Sequence, residues 1–349
     1  DSSGKGGDIF STCWAKETAI RNEWHSLIAS KDISEPSTLS GVADVKYWKW
    51  NGWLCRYAVG GNADSQAPPL LLVHGFGASV EQWKGVFEQL SQEYQVYALD
   101  LIGFGHSQKP PLCFSQYTWQ DQVRDFATQI IQKPFVVAGN SIGGFTAMSV
   151  AADSSQNCKG LVLINSAGKI LTPEQYEEEL EMQGGRTIEE KTRVGDLGPY
   201  RAPPNFVLQA FGFLIFSFLQ GRIEKTCMNL YPTNPDPVKN GLAESILRDS
   251  CDPGAIGVIA AGGKLPTPRP ANELLQKFGG PVLVTQGILD PLNDAKGRLD
   301  LLKKCYPNVE ACSIQAGHCP HHEVPKEVSQ AIKAFVEGNI VRVNSAVEV

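Results

Sequence analysis

Six short apolar runs punctuate the chain: PPLLLVHG, YQVYALD, PFVVAG, GLVLIN, PVLVTQG and VEACSIQ. Each is too short for a helix of its own, and the intervals between most of them carry helical patterns. Uninterrupted apolar strands alternating with helices predict a parallel sheet covered on both faces. Upstream, VKYWKWNGWLCRYAVGG alternates aromatic and polar residues around Asn51 and Gly52, the signal for a hairpin. Two antiparallel strands are therefore expected to open an α/β architecture with a mostly parallel eight-stranded sheet.

The spacing of the runs also divides the chain. Residues 1–40 lack sustained periodicity and open with the polar, glycine-rich DSSGKGGD, an N-terminal arm expected to be partly mobile. Core segments are expected over 41–168 and 279–338, with a short tail over 339–349. Between GLVLINSAG and PVLVTQG, residues 169–278 far exceed an ordinary strand–helix–strand connection, so an inserted helical cap is expected there. Within it, EQYEEELEMQGGRTIEEKTR reads as solvated, whereas NFVLQAFGFLIFSFLQ is apolar on every face. Ordinary cap packing, a wall for a long hydrophobic ligand with Phe213 and Phe216 in contact with it, and peripheral contact with a membrane surface all fit such a helix.

Composition narrows the field further. A formal net charge of -6 and a pI near 5.6 leave no basic footprint for nucleic acid. The nine cysteines, an odd number without paired short spacings, read as buried or free thiols of a reducing compartment. No apolar run reaches the roughly 18 residues of a membrane span. The chain opens on Asp1 and is expected to be a processed or trimmed product. Oligomeric state leaves no mark in the pattern.

The chemistry concentrates in FVVAGNSIGGFTAMSVAAD. GNSIG fits GxSxG, in which a strained strand-to-helix turn lifts a serine hydroxyl above the sheet edge. Gly139 and Gly143 flank Ser141, and their missing side chains let strand and helix approach closely. Such a nucleophile needs a base, an acid and an oxyanion hole at strand ends. His318, in QAGHCPHHE after the last strand, suits the base, because imidazole takes and returns a proton near neutrality. Asp290, in LVTQGILDPLND, completes the order Ser, Asp, His. Asp294 lies one helical turn further on and competes for that role, but it also suits a helix start. The oxyanion hole is expected from the backbone N–H groups of Ile142 and Phe76, the latter in HGFG, with His74 bracing the loop.

Other motifs are weaker. Of the remaining histidines, His25 sits in the arm, His106 in a surface loop, and His321 with His322 opens the terminal helix; all are expected to be solvated. Asp100 reads as support for the DLIGFG turn. HGFGASV and DLIGFGHSQ carry GxG after a strand, but Val80 and Gln108 stand where a dinucleotide fingerprint needs its third glycine. Cys319, His321 and His322 have no second cluster to close a zinc site. No cofactor and no metal are expected.

Together these residues resemble the α/β-hydrolase superfamily over roughly residues 45–337. More narrowly, HGFGAS with QW, YALDLIGFGHS, GNSIGG and GHCPHHE resemble the plant, algal and cyanobacterial group that includes chlorophyll dephytylases and pheophytinases. The resemblance implies a serine esterase or thioesterase acting on a hydrophobic ester, with a phytyl ester of a chlorophyll pigment as candidate substrate and the chloroplast as location. Two features depart from the group: ILDPLND lacks the tryptophan that often follows the acid, and Ile142 replaces the more usual leucine. An esterase for another hydrophobic molecule and a non-hydrolytic receptor on the same fold remain alternatives, because a complete triad does not by itself establish turnover.

Overall fold

The computed structural model describes residues 39–341 apart from 113, 115, 183, 186–204, 253 and 262–268. The hairpin forms as expected, with β1 (Asp44–Trp50) antiparallel to β2 (Trp53–Gly61) and Trp50 opposite Trp53. Asn51 and Gly52 both take positive φ, 47° and 90°, which is the backbone a two-residue turn between right-twisted strands requires. Then come β3 (Leu70–Val73), α1 (Lys84–Leu90), β4 (Gln95–Leu99), α2 (Gln116–Phe126), β5 (Phe135–Asn140), α3 (Ile142–Asp153) and β6 (Cys158–Ile164). The chain closes with β7 (Val282–Gly287), α10 (Ala295–Cys305), β8 (Val309–Ile314), the short α11 (Pro320–Glu323) and α12 (Pro325–Val336).

One eight-stranded sheet results, in the order β1-β2-β4-β3-β5-β6-β7-β8. Only β1 with β2 and β2 with β4 pair antiparallel; the remaining neighbours are parallel. Strands β3, β5 and β7 are buried at every position, which explains their lack of alternation. One face packs Phe126, Val150, Ala151 and Leu299 against Leu71, Val137 and Leu163. The other packs Phe87, Leu90, Val328, Ile332 and Phe335 against Leu70, Leu72, Val136 and Val162.

The insertion between β6 and β7 contributes α4 (Pro173–Met182), α5 (Asn205–Gln220), α6 (Ile223–Leu230), α7 (Ala243–Ser250), α8 (Ala255–Ala261) and α9 (Ala271–Phe278). The expected end of the cap at residue 278 needs correction. Leu274, Leu275 and Phe278 of α9 join the sheet core, so this helix covers the sheet and the cap ends before it. Its amphipathic stripe is what a core-covering helix needs, and length alone did not separate it from the cap. The two roots of the insertion are clasped together: the Ala271 amide donates to Lys169 O at 2.8 Å, and Asn272 bonds both the amide and the carbonyl of Leu171 at 2.9 and 3.0 Å.

Candidate active site

Ser141 stands between β5 and α3 with φ 54° and ψ -120°, a backbone that side-chain-bearing residues rarely adopt. The turn is held from two sides. Its amide donates to Ile164 O at 3.1 Å, and its carbonyl accepts from Gly144, Phe145 and Ala167 at 3.0, 3.2 and 2.8 Å. A Cβ on Gly139 would lie 2.1 Å from Gly143 O, and one on Gly143 would lie 2.3 Å from both His74 O and Val73 O. The expected close approach of strand and helix is therefore present, and only glycine fits it.

His318 follows β8, and its Nδ1 meets Asp290 Oδ2 at 2.9 Å, both residues being buried. Asp290 also accepts from Asn165 Nδ2 at 2.9 Å, Asn293 Nδ2 at 3.1 Å and the Leu292 amide at 2.9 Å. Burial alone would raise this carboxyl, but the hydrogen bonds from His318, Asn165 and Asn293, with the attraction of His318, outweigh it and hold it at about 2. An ionised Asp290 keeps the imidazole proton on Nδ1 and leaves Nε2 as the acceptor. Asp294, the competing acid, instead caps α10 by accepting from Gly297 N at 3.1 Å.

Among the described residues, no hydrogen bond joins Ser141 Oγ to the imidazole. What ties the elbow to the histidine loop is Asn140, whose Nδ2 donates to His318 O at 2.9 Å and Ile164 O at 3.1 Å. The HGFG loop lies against the same turn, since a Cβ on Gly75 would sit 3.2 Å from Ser141 Cβ. His74 braces that loop: Nδ1 donates to Gly75 O at 2.7 Å and Nε2 accepts from the Leu101 amide at 2.9 Å. Complete burial lowers its pKa, against the pull of Asp100, which keeps it a neutral strut. Asp100 accepts from the amides of Val80 and His106 at 2.7 and 2.8 Å and lies 3.6 Å from the buried Arg56 guanidinium. It supports the turn, as its sequence context suggested. The amides of Phe76 and Ile142 donate no hydrogen bond among the described residues, and the Phe76 ring packs edge-on to Phe104 at 5.1 Å.

Three residues essential to this geometry escaped the sequence reading. Asn140 and Asn165 end their strands, and that position was the available signal for both. Asn165 Nδ2 reaches Gly287 O and Gly317 O at 3.3 Å besides Asp290, while its Oδ1 accepts from Gly287 N at 2.7 Å. The third is Glu323, fully buried. It accepts from Gly317 N at 2.6 Å, from the amide and hydroxyl of Thr233 at 2.7 and 2.5 Å, and from Asn234 N at 3.2 Å.

The expectation that His321 and His322 are solvated is overturned. His321 is completely buried with its ring centroid 4.1 Å from that of Trp83, and His322 Nδ1 lies 3.0 Å from Tyr231 Oη. Burial drives both rings down, His322 to about 4. The cause is α11, which turns inward beneath the stem of the cap rather than lying on the surface. His106 is half-buried, bonded through Nε2 to Arg248 of the cap at 2.8 Å; His25 lies outside the described residues. Cys55, Cys158 and Cys319 are buried thiols pushed up to about 12, and Cys227 to about 11. Of the two proposed substrate contacts on α5, Phe213 is 39% exposed, and the side chain of Phe216 lies outside the described residues.

The eight-stranded sheet and its elbow define the alpha/beta hydrolase fold, and a family model of that description matches residues 68–189. Among known proteins, the chain is similar to the chloroplastic pheophytinase of Arabidopsis thaliana, 22% identical over 322 residues, which are 81% of this chain and 64% of that protein. It thus spans just under two thirds of that relative's length. Among solved structures, a bacterial membrane phospholipase A described as a virulence factor superposes with a TM-score of 0.64 at 23% identity, covering 95% of this chain and 94% of the other. A thermophilic esterase from Thermogutta terrifontis gives 0.61 at 23% identity, covering 85% and 99%.

Proposed function

We propose that the protein is a serine hydrolase that cleaves a carboxylic ester through an acyl-enzyme. Ser141 Oγ attacks the ester carbonyl carbon while His318 Nε2 takes its proton, and Asp290 steadies the resulting imidazolium. The amides of Phe76 and Ile142 receive the oxyanion. Collapse breaks the ester bond, His318 returns the proton to the departing alcohol, and a water activated by the same imidazole then hydrolyses the acyl-enzyme. The observation that carries this reading is the pairing of a strained Ser141 elbow with His318 and Asp290 bonded at 2.9 Å across the same sheet end.

For substrate, the reading favours a hydrophobic long-chain ester, a phytyl ester of a chlorophyll-type pigment, hydrolysed in the plastid. Support comes from the motif resemblance and the likeness to pheophytinase. A fluorophosphonate probe tests the nucleophile: it should label the wild type and not Ser141→Ala. A product assay on chlorophyll, pheophytin and simple acyl esters then tests the substrate. Labelling without turnover on any ester would favour a receptor on this fold, and preference for short acyl esters would remove the pigment from the reading.

A further inference from the structure

The apolar helix α5 is seated backwards for a core helix. Gly212 faces the protein and packs on α8, where an added Cβ would lie 3.1 Å from Ala260 Cβ and 3.2 Å from Ile256 O, while the small Ala210 and Ser217 lie on the exposed side. Several of its large residues face out. Phe206, Phe211, Leu214 and Phe218 are 76, 53, 66 and 60% exposed, and Val207 is 42% exposed. At 3.6 residues per turn these five positions occupy one arc of roughly 140°, diametrically opposite Gly212. No charged residue interrupts the 16-residue helix. Immediately beyond it the exposed Arg222 stacks its guanidinium 3.9 Å from the centroid of Phe218, and Lys225 is exposed one turn further on, the two outnumbering the intervening Glu224.

We propose that this stripe docks the protein on an anionic lipid surface, with the Phe and Leu side chains entering the acyl boundary and Arg222 and Lys225 at the headgroups. With its Gly212 side held on α8, the helix offers solvent an outward apolar stripe with cations at its end, a surface suited to the lipid interface. With 16 residues it is too short to span, and among the described residues no helix is long and apolar enough to cross a membrane. A second copy of the chain is a poorer occupant. The stripe is about 24 Å long and about 10 Å wide, roughly 240 Å² a side, against the roughly 800 Å² per partner of a stable interface. The docking is independent of ester cleavage by Ser141, and none of the stripe residues belongs to the elbow, the histidine loop or the oxyanion loop.

Vesicle flotation of the full chain tests it, using phosphatidylcholine alone and equal parts phosphatidylcholine and phosphatidylglycerol. The wild type should float with the mixed vesicles; Arg222→Gln should weaken the preference for them, and Arg222→Gln with Lys225→Gln should abolish it. Phe211→Ser and Leu214→Ser should each lower partitioning about tenfold or more, since each withdraws one large apolar side chain from the lipid. Phe206→Ser, at the opposite end of the helix, should do the same. Thermal melting checks that each variant is folded, and turnover of a short soluble ester, whatever its wild-type value, should be unchanged. Failure of the wild type to float, or equal flotation by folded variants, overturns the proposal. So does a concentration-dependent dimer in sedimentation that the same substitutions dissociate, because the stripe would then cover itself.

Discussion

Asn165→Asp is the most informative single change to the site, because it swaps one donor for one acceptor without altering shape. In the native chain Asn165 Nδ2 donates to Asp290 Oδ2 at 2.9 Å. The substitution puts two carboxylate oxygens at that separation, and two unit charges 2.9 Å apart cost about 6 kcal/mol at an effective dielectric of about 20. Protonating an ordinary carboxyl at pH 7 costs only about 4 kcal/mol. Protonation therefore wins near neutrality: the pair holds one shared proton, and its second ionisation moves up through neutral pH. The sign for stability follows. A carboxyl whose folded pKa is raised destabilises the fold progressively as pH climbs from its unfolded value near 4 towards the raised one. The urea midpoint of Asn165→Asp should thus fall between pH 5 and pH 9 while the wild type stays nearly level. Turnover of a short ester should be partly retained at the acid end, where the shared proton still lets the pair carry a single charge facing His318. A flat midpoint, parallel to the wild type across that range, would refute the contact and the reasoning built on it.

Ser141→Gly should abolish turnover, by about 10³-fold or more, yet raise the melting temperature, because it relieves a backbone that costs about 1–3 kcal/mol; calorimetry and an ester assay read the two effects separately. Asp290→Asn should be severe in turnover, whereas Asp294→Asn should be nearly silent, since asparagine caps α10 as well as aspartate does; steady-state kinetics with the reverse ranking would reassign the acid. Acid titration of stability should show the depressed Asp290, whose contribution of about 2–3 kcal/mol is present above pH 4 and lost as pH falls towards 2, and Asp290→Asn should remove that segment of the curve. Glu323→Gln sets an amide N–H2 among donors and should cost about 2–4 kcal/mol of stability in urea titration, with a lowered kcat for a short ester.

Much of this architecture was legible because buried parallel strands leave uninterrupted apolar runs, and the hairpin declares itself through Asn51 and Gly52. The elbow was legible because a backbone like that of Ser141 tolerates few neighbours other than glycine. What stayed hidden are contacts between residues far apart in the chain. Nothing local to Asn140 says that its amide will meet His318 O, 178 residues away. Glu323 looks like an ordinary acidic residue near a helix start, and its role appears only once Thr233 and Gly317 fold against it. His321 and His322 misled for the same reason: polarity suggests water, but burial is decided by where α11 turns. The end of the cap was misread because α9 carries the same helical pattern whether it packs on the sheet or on other cap helices.

The stem of the insertion and the loop bearing the histidine share one corner of the molecule. Leu230 O accepts the His318 amide at 3.0 Å, Glu323 gathers Thr233, Asn234 and Gly317, and a Cβ on Gly317 would stand 2.1 Å from Leu230 O. For anyone exchanging caps between relatives to change substrate range, this corner means that the insertion is not an interchangeable module. A transplanted cap must bring a carbonyl for the His318 amide and donors for Glu323, or the graft boundary must take in Gly317–Glu323 as well. A splice made only at the clasped roots, Lys169 and Ala271, would deliver a new pocket and unseat the imidazole beneath it.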